Sequence, residues 1–91
     1  METYIHNYIY NKKNQRVGVV VAKVDDNPLV GIGWSKCNTS LGDRFDRERG
    51  LKIALGRADF RDKNYPRSVA PYIEQMAVRA TKYFKNRSVI V

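Results

Sequence analysis

Gly42-Asp-Arg-Phe-Asp-Arg-Glu-Arg-Gly-Leu-Lys-Ile-Ala-Leu-Gly-Arg-Ala58 decides the fold, because it is the first part of the chain to change from strand-like to helix-like spacing. On a helical wheel Gly50, Leu51, Ala54, Leu55 and Ala58 share one stripe, while Phe45, Ile53, Gly56 and Phe60 gather on a second, so the helix is expected to be covered on two sides. Gly50, Ala54 and Ala58 recur every fourth position and allow a close approach to a sheet. Asp43 is a candidate N-cap for a helix starting near Arg44, and Gly56 a candidate end.

Everything before this stretch reads as strand. Thr3–Tyr10 alternates, with Tyr4, His6, Tyr8 and Tyr10 on one side and Ile5, Asn7 and Ile9 on the other. Polar residues 11–16 form a hairpin loop, and Val17–Val24 is a β-branched run suited to the middle of a sheet. After a turn at Asp25–Pro28, Leu29–Cys37 is a third strand. Its Gly31 and Gly33 lie on one face, which predicts a helix packed closely there.

Downstream, Asp59–Arg67 is a charged connector. Ser68 is a candidate N-cap with Pro71 in the first turn, and Val69, Tyr72, Ile73, Met76, Ala77, Ala80, Tyr83 and Phe84 form one apolar arc that ends near Asn86. The tail Ser88–Val91 is apolar enough to add a short edge strand or to pack on the core. The expected architecture is one α+β domain over residues 1–91, a three-stranded antiparallel sheet followed by two helices packed on one face, in the order β-β-β-α-α.

Size and charge narrow the function. A chain of 91 residues holds one core and no deep substrate chamber. Seventeen Lys and Arg against nine Asp and Glu give a formal charge of +8, which favours anionic partners, nucleic acid foremost. Cys37 is the only cysteine, so no intramolecular disulfide and no Cys-rich zinc site can form, and a reducing cytoplasm suits it. No leader-like or membrane-spanning segment is read, and no membrane partner is expected.

Candidate binding residues fall into three groups. With the two helices on one face, the other is open, and Tyr4, Tyr8 and Tyr10 could stack bases there while Lys12, Lys13, Arg16 and Lys23 hold phosphates. The plainer alternative is that tyrosines are good strand residues covering the sheet. Arg44 and Arg47 head a second group with Arg49, Lys52, Arg57 and Arg61, interrupted by acids; Glu48 could pair with Lys52 one turn on. Arg79, Lys82, Lys85 and Arg87 form a third, with no acid after Glu74, although cations near a helix C-terminus also suit the macrodipole.

Catalytic patterns are missing. His6 and Cys37 lack an orienting partner, the Asp25/Asp26 and Asp43/Asp46 pairs fall short of a calcium loop, and Gly50–Gly56 lacks the phosphate-loop order. The reading is a non-enzymatic nucleic-acid-binding protein, for DNA or RNA, without cofactor or metal. The open face could alternatively join two copies as a homodimer.

Val30-Gly-Ile-Gly-Trp-Ser-Lys-Cys37 followed by the Gly42–Ala58 stretch resembles a pattern found in small, mostly uncharacterised proteins of tailed bacteriophages. The resemblance implies a protein made in the cytoplasm of an infected bacterium that acts on host or phage macromolecules. It therefore sets beside nucleic-acid binding a second function, modulation of a host protein such as transcription or replication machinery through an acidic surface patch.

Overall fold

The computed structural model describes residues 3–24, 29–38, 42, 44–60, 64–85 and 88–89. Strands β1 (Thr3–Tyr10), β2 (Arg16–Val24) and β3 (Leu29–Lys36) precede helices α1 (Arg47–Phe60) and α2 (Ala70–Tyr83), and β4 (Ser88–Val89) ends the order. The first three strands pair antiparallel, as expected. The tail adds β4 parallel to β3, opposite Leu29 and Val30, making the sheet order β1-β2-β3-β4.

The helices do not share a face. Val19 and Val21 pack with Leu51, Ala54 and Ala58 of α1, whereas Val20, Ala22 and Val24 pack with Val69 and with Ile73, Met76 and Ala80 of α2. The expectation of two helices on one face is corrected, for a physical reason: successive strand residues point to opposite sides, so a continuous apolar run such as β2 needs cover on both. A bulge extends the second cluster. Ile9 pairs with Gly18 but Tyr10 pairs with Arg16, so Val17 is the extra residue and turns to the α2 side.

Helix α1 lies chiefly over β3 and β2. A Cβ on Gly33 would overlap the Ala54 carbonyl oxygen, and one on Gly31 the Ala58 carbonyl oxygen, so the predicted close approach is present. Four helical residues advance about 6 Å and two strand residues about 6.8 Å. That near-match lets Gly50, Ala54 and Ala58 step along Ser35, Gly33 and Gly31. The Ser35 hydroxyl donates to the Gly50 carbonyl at 2.9 Å and secures the upper step.

Several local expectations change. Helix α1 begins at Arg47 rather than near Arg44, because Asp46 supplies the cap: its Oδ1 accepts from the Arg49 N–H at 3.2 Å and its carbonyl from the Gly50 N–H at 2.8 Å. Asp43 lies outside the described residues. Gly56 does not end the helix, and in the second stripe Ile53 is 39% exposed while Phe45 and Gly56 are half-buried. Ser68 does not cap α2; its hydroxyl accepts from Lys36 Nζ, Val69 takes the cap position without a side-chain bond, and Pro71 stays in the first turn. Tyr83, expected in the apolar arc, is 59% exposed and stacks edge-on against Phe84.

Candidate nucleic-acid interface

Because α1 covers β3 and β2, the neighbouring β1 carries its even-numbered side chains along the flank of that helix. Register places Tyr4 beside Lys23, His6 beside Val21 and Tyr8 beside Val19, on the α1 face. The rings form a continuous row: Tyr4 to His6 at 6.3 Å, His6 to Tyr8 at 5.3 Å, and Tyr8 to Phe45 at 6.0 Å, the last two edge-to-face.

Three arginines converge on this row from different elements. Arg16, at the start of β2, lies 4.2 Å over the Tyr8 ring. Arg47, in the first turn of α1, donates to the Tyr8 hydroxyl at 2.9 Å. Arg79 comes from α2 on the opposite face, reaching the His6 carbonyl at 2.8 Å and Asn7 Oδ1 at 2.6 Å. None of the three ion-pairs with a carboxylate among the described residues. Partial burial, and then the charges of Arg47 and Arg79, hold the His6 imidazolium below its ordinary range. The ring is therefore neutral at pH 7 in a positive local field.

The expected site residues separate on this geometry. Tyr4 keeps an exposed ring, at 39%. Tyr8 does not stand free: Arg16 covers one face, His6 and Phe45 meet it, and Arg47 takes its hydroxyl. Tyr10 is exposed at the bulge, with its backbone N–H and carbonyl both 3.3 Å from the Tyr72 hydroxyl. Lys12 and Lys13 are exposed in the hairpin turn, which is closed by Asn11 Oδ1 accepting from the Lys13 and Gln15 N–H groups and by Asn14 at φ 62°. Lys23 leaves the site. It is 6% exposed and paired with Asp59 at 2.5 Å, because its strand position points under α1.

Arg44 is exposed just ahead of α1. Lys82 and Lys85 are exposed at the end of α2, beyond Arg79 towards the Thr3 end of β1, since Tyr72 meets Tyr10 and Arg79 meets His6. Of the other cations, Arg57 lies 4.0 Å over the Trp34 ring and donates to the Trp34 carbonyl, and Lys52 makes no ion pair with Glu48. Arg61 and Arg87 fall outside the described residues.

His6 and Phe45 were the members of the row that sequence reasoning did not select. Period-two spacing already put His6 between Tyr4 and Tyr8; nothing local indicated that Phe45 would close the row from 37 residues away. His6 and Cys37 do not meet, since His6 is level with Val21 and Gly33 while the Cys37 N–H bonds to Val17. Among the described residues no group of His, Cys, Asp or Glu could hold a metal, and Asp25, Asp26 and Asp43 lie outside them. No described helix is long and apolar enough to cross a membrane.

Comparison with protein-family models, curated proteins and solved structures finds no match.

Proposed function

We propose that the protein binds nucleic acid along the β1 face, with phosphates held by Arg16, Arg47 and Arg79 and bases resting on Tyr4 and His6. One observation carries the reading: guanidiniums from β2 and α1 contact the aromatic row and a third, from α2, reaches the margin of the same strand, none with a described carboxylate to neutralise it. Guanidinium forks suit phosphate oxygens, and neutral rings suit bases. Lys12, Lys13, Arg44, Lys82 and Lys85 extend the positive surface at the two ends of the row. The proposal is of binding without turnover.

The test is fluorescence anisotropy with labelled duplex DNA, single-stranded DNA and RNA over a salt series. Saturable binding is expected, with log affinity falling by about 0.7 per log salt for each single-strand phosphate neutralised, or about 0.9 for duplex. Absence of binding to all three at physiological salt would refute the proposal. A bacterial protein retained on the chain after nuclease digestion, with no affinity for nucleic acid, would replace it with host-protein modulation.

A further inference from the structure

The aromatic row does not stop at the sheet. Phe45, its last ring, also forms part of the wall of a cavity of about 240 Å³ between the end of β3 and the start of α1. Phe45, Ile53 and Cys37 give that cavity apolar surface, Gly50 lies in its buried wall, and Arg44 and Arg49 bring two cations. Neither guanidinium has a partner among the described residues. Lys36 also lines it, but its ammonium is directed to Ser68.

Resting on the nucleic-acid reading, we infer that this cavity seats one unpaired nucleotide unit, its base against Phe45 and Ile53 and its phosphate on Arg44 and Arg49. A concave site that sets apolar side chains beside a few charged groups is a usual form of small-ligand site. A phosphate alone would leave Phe45 and Ile53 unused; an apolar ligand alone would leave two guanidiniums unused. The combination matches base plus phosphate. Gly50 keeps the wall open, because a Cβ there would stand 3.2 Å from Phe45 Cε1 and 3.1 Å from Ser35 Oγ.

Asp46 is the only acid among the described residues of the lining. Its Oδ1 caps the Arg49 N–H, but its charge opposes an incoming phosphate. The cavity should thus respond in opposite senses to two substitutions. Arg44 with Arg49 changed to Ala removes the attraction; Asp46→Asn retains a capping oxygen and removes the repulsion. Both sets are exposed, so neither threatens the fold.

The unit could be a free nucleotide or one base extruded from a strand, and the experiment separates these sources. Adenosine monophosphate, inorganic phosphate and a short single-stranded oligonucleotide are titrated into the 15N-labelled protein, following the amides of Ser35, Arg49 and Gly50. Expected are saturable shifts there with the nucleotide and the oligonucleotide, weaker binding of phosphate, a loss of about tenfold or more in the double Arg variant, and a gain of a few-fold with Asp46→Asn. Much tighter binding of the oligonucleotide than of the nucleotide would assign the cavity to a strand; equal affinities would assign it to free nucleotide. Phosphate binding as tightly as the nucleotide, or no shift at these amides, overturns the inference. If the oligonucleotide then still binds at β1, the broader reading survives, and if it, duplex DNA and RNA all bind nowhere, both fall.

Discussion

Replacing Gly33 with Ala adds one methyl group where α1 has left no room. The new carbon would overlap the Ala54 carbonyl oxygen and crowd the Ala58 amide nitrogen, both backbone atoms of a helix also held by Leu51 and by the Ser35–Gly50 hydrogen bond. No side-chain rotation can relieve this, so the whole helix must lift from β3. Overpacking a tight interior costs about 1–3 kcal/mol, and a contact with backbone belongs at the upper end, about 3 kcal/mol. For a domain of this size that lowers the melting temperature by roughly 12–24 °C.

Gly56→Ala is the matched control. The same methyl group, in the same helix, meets nothing within 4 Å. It should stabilise by about 0.8–1 kcal/mol through helix propensity. Urea denaturation of both variants and the wild type, followed by far-UV circular dichroism, measures the two differences with a common slope. A Gly33→Ala domain as stable as the wild type would refute the close packing of α1, and a Gly56→Ala domain less stable than the wild type would refute the open position of Gly56.

Asp59→Ala should cost about 2 kcal/mol in the same assay, above the 0–1 kcal/mol of an exposed pair, because it removes the carboxylate bonded to an ammonium that is 6% exposed. His6 gives a pH signature. Its pKa is lowered in the folded state from 6.5, so the unfolded chain takes up a proton first, and stability that is complete above pH 6.5 falls as the pH drops through the lower folded value. His6→Gln should flatten the stability profile between about pH 7 and 5, where carboxylates contribute little. Arg16→Gln and Arg47→Gln should each reduce the salt slope for single strands by about 0.7 while leaving the fold intact; unchanged slopes would take phosphate away from the β1 row.

Strand and helix periods were legible because they follow directly from which residues alternate and which recur every fourth position. The placement of the helices was legible only in part. Gly31 and Gly33 announce close packing, and that packing is present; the apolar continuity of Val19 to Ala22 carries the two-sided burial, for which α2 supplies the second cover. The bulge at Val17 has no local signature, since Val17 and Val19 look alike until Tyr10 pairs with Arg16. For the site, counting cations could not distinguish Lys23, consumed beneath α1, from Arg16 on the Tyr8 ring. That difference arises from strand register and the reach of Asp59 from α1, both of which are tertiary.

Arg57 and Arg79 have a counterpart relation across the molecule. One reaches from α1 to the Trp34 carbonyl of β3, beyond the residues that pair with β4, and the other from α2 to the His6 carbonyl of β1, so each of these stretches has a main-chain acceptor closed by a cation from a helix. A further strand seeking to extend the sheet would have to displace a charge-assisted bond and approach a guanidinium at either margin. Both stretches are thereby less open to pairing with another chain, and that cover depends on the helices. Fraying of α2 near Arg79 would uncover the β1 margin and leave its free main-chain groups open to another strand.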